Sequence, residues 1–152
     1  MCILKVYSDN ESFESFSKIT DIPIYSFYNK GERKNEKTDD IHTDFRISFD
    51  VSEKEWDDIE GQIDDAILFL NKYKEQIKDL LTRHSISNVY LDFALWSRLY
   101  DNVVNQNDYL PRELVKIAGE LNIGIEMGIY AKDAFEFGKS KKKKTTKPKK
   151  ST

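Results

Sequence analysis

At 152 residues, of which 39% are hydrophobic, 12% aromatic and 34% charged, the chain is about one domain long and can bury a core without covalent staples. A single cysteine, Cys2, excludes an internal disulfide. Two histidines with one cysteine leave no ordinary structural zinc set, and no apolar run approaches the roughly 18 residues that span a bilayer. The net charge of −3 conceals a division: residues 139–152 hold eight lysines and no acid, and residues 1–138 carry 16 bases against 27 acids, or −11.

The first segment, CILKVYS, alternates Cys2, Leu4 and Val6 with Ile3, Lys5 and Tyr7, the period of a strand with one apolar face. A short helix or turn is expected over DNESFESFSKIT, with Asp9 or Asn10 available as its cap and Phe13 and Phe16 on one side. The aromatic run IPIYSFYNKGE reads as a strand, and Pro23 places its start at a strand beginning or an edge. A turn follows at residues 29–31, and the nearly apolar-free stretch GERKNEKTDD reads as an exposed loop.

HTDFRISFDV has the clearest strand pattern, with Phe45, Ile47, Phe49 and Val51 on one face and Asp44, Arg46, Ser48 and Asp50 on the other. The longest helical signal comes next. Ser52 and Glu55 form a capping-box pattern with Val51 as a staple residue, and an apolar stripe from Ile59 to Leu81 predicts one helix, broken or bent near Asn71. SISNVYLDFALW returns to a strand with Val89, Leu91, Phe93 and Leu95 inward. The Asn-rich stretch SRLYDNVVNQND is ambiguous. Pro111 then opens a helix whose buried stripe is Leu114, Ile117, Ala118 and Leu121, ended by Asn122 or Gly124. A last strand places Ile123, Ile125, Met127 and Ile129 toward the core.

This order predicts an α+β fold: a mixed or mainly antiparallel sheet of four to five strands with helices on one face. A ferredoxin-like core with an added helix–strand unit is one arrangement that fits. The domain is expected over 1–138. The lysine-rich run 139–152 reads as a disordered, solubilising tail, without the aromatics or arginines that specific nucleic-acid readout uses. No secretory leader is expected, because the first residues lack a basic region followed by a long apolar stretch. A cytoplasmic protein with no cofactor and no metal is the expectation.

Two sets of residues are candidates for chemistry. Asp92, Glu126 and Arg46 each lie opposite an apolar strand face; if those strands adjoin, they form an arginine–carboxylate cluster suited to acid–base work, or an ordinary solvated face with cross-strand ion pairs. His42, at a loop–strand junction, and His84, past the long helix, are further acid–base candidates, each also readable as structural. For partner binding the candidates are the loop acids Glu32, Glu36, Asp39 and Asp40, with Trp96, Arg98, Tyr100 and Tyr109 as anchors, because Trp, Arg and Tyr dominate binding hot spots. Core filling is the competing reading for Trp96. An acidic body repels phosphate backbones and steers basic partners, which favours a basic protein over nucleic acid or membrane.

The C-terminal block LPRELVKIAGELNIGIEMGIY, through Leu114, Leu121, Ile123, Ile125, Glu126, Ile129 and Tyr130, resembles the ending of a bacterial family of domains of unknown function, and the Lys30-Gly31-Glu32 turn is similar to that family's early turn. The resemblance spans residues 2–131. The resemblance implies a small strand–helix domain of the general kind that includes immunity proteins, which bind and neutralise a cognate toxin, and it carries no catalytic residues. The runner-up functions are a small enzyme built on Asp92, Glu126 and Arg46, and weak nucleic-acid binding through the lysine-rich tail.

Overall fold

The computed structural model describes residues 1–100 and 102–135. The chain runs β1 (Cys2–Ser8), α1 (Glu14–Ser17), β2 (Ile24–Tyr28), β3 (Phe45–Ser52), α2 (Ile59–Lys72), α3 (Lys74–Arg83), β4 (Asn88–Trp96), α4 (Arg112–Glu120) and β5 (Gly124–Tyr130). The strands form one mixed sheet in the order β2-β3-β1-β4-β5, antiparallel except for the β4–β5 pair. The α+β class expected from the sequence is what folds. The end of the domain at 138 and the tail 139–152 lie outside the described residues.

Strand alternation builds the core. Leu4 of β1 is paired with Phe49 on one side and Leu91 on the other, so three apolar faces align in register. Cys2, Leu4, Val6, Ile47, Phe49, Leu91, Phe93 and Leu95 then join Phe16 of α1, Ile63, Ala66 and Leu70 of α2, Ile77 and Leu80 of α3, and Leu114 and Ile117 of α4 in one buried cluster. The helices therefore cover one face, and each large side chain fully buried there contributes about 1.5–3 kcal/mol. The stripe expected for α4 is buried as read, and Asn122, at φ 55, ends that helix in the left-handed conformation that asparagine tolerates.

Local signals gave way to the surrounding structure at three places. The Ser52–Glu55 capping box does not form, because β3 continues through Ser52, which pairs with Cys2. The Ser52 hydroxyl donates instead to Asp65 Oδ2 at 2.7 Å. Helix α2 starts at Ile59 and is capped by Asp58, whose carboxylate accepts from the Gly61 amide at 2.9 Å. A side chain at 61 would collide with that carboxylate, so glycine admits the cap. Val51 is accordingly a buried strand residue and not a staple.

The helix breaks near Asn71 as expected, at Tyr73 two residues on. Asn71 stays helical, donating from Nδ2 to Ile67 O at 2.8 Å, while Tyr73 turns its ring inward against Phe69 at 5.0 Å. Helix α1 is only four residues long, beyond reach of Asp9 or Asn10. The Ser12 hydroxyl accepts from the Glu14 amide at 3.2 Å, and Ser8 Oγ accepts from the amides of Asn10 and Glu11. Ile123, just before β5, and Ile125 and Met127 within it follow the expected inward set, but Ile129 is 54% exposed on the sheet's outer strand.

Candidate functional site

The face of the sheet opposite the helices carries Ile3, Lys5 and Tyr7 from β1, Arg46, Ser48 and Asp50 from β3, Tyr90, Asp92 and Trp96 from β4, and Glu126 and Tyr130 from β5. Asp92 and Glu126 are register partners on neighbouring strands, as the expected cluster requires. The cation on Asp92, however, is Lys5 of the central strand, which bonds to its Oδ2. Arg46 lies in another row, paired with Tyr7, whose β4 partner is Asn88, four residues before Asp92. Its guanidinium sits 4.2 Å from the Tyr28 ring centroid and 5.7 Å from that of Tyr7, and donates to the Tyr7 hydroxyl at 3.3 Å. The expected arginine–carboxylate cluster is thereby corrected to a lysine–aspartate pair beside an arginine held by tyrosines. Tyr7 and Tyr90 stack at 5.9 Å with their hydroxyls 3.2 Å apart. Burial, followed by the bond to Tyr7, raises the Tyr90 phenol above its ordinary value.

The two histidines go elsewhere. The His42 ring stacks on Tyr28 at 3.7 Å, and His84 Nδ1 lies 3.5 Å from Glu11 Oε2 with its ring against Phe13. Among the described residues, no three His, Cys, Asp or Glu side chains are grouped as metal ligands. Burial pushes the Cys2 thiol above its ordinary range, which makes it a poor nucleophile.

The partner-binding candidates divide between opposite ends of the sheet. Glu32, Glu36, Asp39 and Asp40 are exposed in the loop joining β2 to β3. That loop is folded back on itself: Arg33 bridges to Ile41 and pairs with Asp39 at 3.2 Å. Glu32 accepts from the Asn29 amide and side chain, both at 2.9 Å, and these bonds hold its carboxyl below the usual range. Trp96, Arg98, Tyr100 and Tyr109 belong to the other end, past the C-terminus of β4. The nine residues of β4 separate the two ends by about 26 Å at roughly 3.3 Å per residue. The loop acids and the aromatic anchors do not share one surface.

A different set of acids sits beside the anchors. Residues 53–65 contain Glu53, Glu55, Asp57, Asp58, Glu60, Asp64 and Asp65 against one base, Lys54. Trp56, in the middle of them, is held where β3 leaves the sheet. Its carbonyl accepts from the Trp96 amide at 3.0 Å, and its ring packs 4.6 Å from Trp96, 4.9 Å from Tyr130 and 5.6 Å from Phe135. Buried Gln62 fastens the same loop to the sheet, donating from Nε2 to Glu55 O and Ala94 O. Across from the acids, Arg98 donates to Asp108 Oδ1 at 2.6 Å and Gln106 Nε2 to Asp108 Oδ2 at 2.8 Å. Burial works against the charged form of Asp108, but the bonds from Gln106 and Arg98 outweigh it and hold the carboxyl below its ordinary range.

That bracing leaves Tyr109 78% and Tyr100 56% exposed. Asp57, Asp58, Glu60 and Asp64 line one side of a groove of about 560 Å³, and Arg98 and Tyr109 also border it. The result is an aromatic corner with an acidic rim: Trp96 is both packed and part of the corner, Arg98 is a brace, and Tyr100 and Tyr109 point outward. The acids from Glu53 to Asp65 lead into a helix start, where acids are ordinary. Their density around a tryptophan was the visible signal.

Compared with family models, with curated proteins and with solved structures, the chain matches none. The roles of the site residues therefore rest on geometry alone.

Proposed function

We propose that the chain is a non-enzymatic interaction domain that binds a basic protein through the acid-rimmed aromatic corner, in the manner of an immunity protein masking a toxin. The observation that carries this reading is a thirteen-residue stretch holding seven acids, four of which, Asp57, Asp58, Glu60 and Asp64, line one groove with the outward-facing Tyr109. Acidic rims steer basic partners and raise their association rates, while aromatic side chains in the centre supply the burial that holds a complex. The strand order β2-β3-β1-β4 with its intervening helices supports reading the first four strands as a ferredoxin-like core to which α4 and β5 are added. No described helix is long and apolar enough to cross a membrane, and a bacterial cytoplasm is the compartment that fits the reading.

The test is titration of the protein with the basic product of a neighbouring gene, followed by calorimetry at several salt concentrations. The expected result is a 1:1 complex weakened by salt and weakened tenfold or more by Glu55→Lys, Asp57→Lys and Asp64→Lys together. Reversal of Glu36, Asp39 and Asp40 in the distant loop is expected to change little. Absence of a complex at every salt concentration, or loss on reversing the distant loop alone, rejects the proposed surface.

A further inference from the structure

The two edges of the sheet are built differently. At the β2 edge the strand has five residues, follows Pro23 directly and carries a register irregularity between Ile24 and Ser26. Short length, proline and bulges are the devices that stop an edge from recruiting another strand. The β5 edge has none of them. Gly124-Ile125-Glu126-Met127-Gly128-Ile129-Tyr130 pairs without irregularity along its whole length with β4, and contains no proline, no lysine and a single charge. Among the described residues, the hydrogen bond that reaches a β5 backbone group from outside the β4 ladder is Ser97 N to Tyr130 O, at 2.7 Å. Ile129 is 54% exposed and Tyr130 39% exposed.

From this edge we infer that β5 pairs with β5 of a second copy of the chain, antiparallel and two-fold symmetric about Met127, joining two sheets into one. The strand is self-complementary in that register. Met127 faces Met127 of the second copy, and the exposed Ile129 faces Ile125, which already packs on the core. The apolar layer beneath the helices thereby continues across the two-fold axis. On the other side of the sheet, each bulky or charged residue meets a glycine, Tyr130 opposite Gly124 and Glu126 opposite Gly128. Gly124 adds no side chain opposite Tyr130, and at Gly128 the space a side chain would take is filled by the ring of its own Tyr130, 3.1 Å away. An unrelated strand has no reason to match this alternation, whereas a second copy matches it by symmetry.

Two repulsive elements set the conditions under which the pair forms. Each copy carries −11 over residues 1–138, and the two Glu126 side chains lie on the diagonal across the axis, roughly 7–8 Å apart. Screening relieves both, so self-association strengthens with salt, opposite to the salt dependence of the proposed complex with a basic partner. Glu126→Gln strengthens it at low salt.

Sedimentation equilibrium of the full chain, from micromolar to millimolar and at low and high salt, is expected to give a concentration-dependent dimer favoured by salt. Symmetric pairing places the two side chains at 127 directly opposite, so Met127→Cys is expected to form a disulfide-linked dimer on mild oxidation. Ile129→Cys, which faces residue 125, is expected to cross-link with Ile125→Cys and not with itself; buried Cys2 stays silent. As a check independent of cysteine, Ile129→Lys is expected to weaken association tenfold or more, with Tyr25→Lys on β2 leaving it unchanged. Circular dichroism establishes that each variant is folded. A monomer at every concentration and salt overturns the inference. So does a dimer that Tyr25→Lys disrupts and Ile129→Lys does not, or one in which Ile129→Cys links to itself as readily as Met127→Cys.

Discussion

The two faces of the central sheet are held by different physics. Under the helices, Leu4, Phe49, Leu91 and Phe93 have no exposed surface and meet only hydrocarbon. On the other face no described helix intervenes, and the side chains cover one another. Lys5 bonds to Asp92, Arg46 lies between the rings of Tyr28 and Tyr7, and Tyr7 stacks on Tyr90. The covered face gains stability from area removed from water, which is nondirectional and large. The bare face gains from ion–dipole and ring contacts that are individually modest but fix each neighbour's position.

Substitution should expose that difference in size. Phe93→Ala, on the covered face, is expected to cost about 3–5 kcal/mol in urea unfolding, because a cavity remains where a ring was fully buried. A cost below that of any bare-face variant would erase the distinction. On the bare face, Lys5→Met strands a largely shielded Asp92 and is expected to cost about 1–3 kcal/mol. The double variant Lys5→Met with Asp92→Leu is expected to recover most of that loss, since it removes the charge together with its partner; equal losses in both would show that the pair was not the reason. Arg46→Met is expected to cost about 1 kcal/mol, the scale of a partly desolvated cation over a ring.

The smallest effect at neutral pH is expected from Tyr90→Phe, which removes one weak hydroxyl contact. Its influence appears in alkali. The folded state raises the Tyr90 phenol above its ordinary value, so between the unfolded value near 10 and the raised one the native chain keeps a proton that the unfolded chain has lost. Stability from this group is therefore complete below about pH 10 and falls as pH rises through the folded value. Urea midpoints measured from pH 8 to 11 should decline less steeply in Tyr90→Phe. Parallel declines would remove the phenol from the explanation.

The covered face was readable from the sequence because burial imposes a period. Alternation at Phe45, Ile47, Phe49 and Val51, and again at Leu91, Phe93 and Leu95, located β3 and β4, and the four-residue stripe of α4 was equally plain. The bare face was readable only by residue type. Nothing local says that Lys5, 87 positions away, and not Arg46, reaches Asp92; that follows from β1 lying between β3 and β4. The same nonlocal pairing drew Ser52 into β3 against Cys2 and cancelled a capping pattern that was sound in isolation. The acidic rim is hidden in the sequence for the opposite reason: acids before a helix have an adequate local explanation, and only the fold puts them beside Arg98 and Tyr109.

The position of β1 in the middle of the sheet also has a kinetic meaning. Both of its neighbours come from later in the sequence, and the ladder joining it to β4 closes a loop of 87 residues between Lys5 and Asp92. Such distant contacts form late, after the entropy of loop closure has been overcome. Until then β1 presents two edges of unpaired N–H and C=O groups and an uncovered apolar face, and is the segment most open to capture by another chain. Refolding yield should consequently fall with protein concentration more steeply than refolding rate, with losses that begin at Cys2–Ser8.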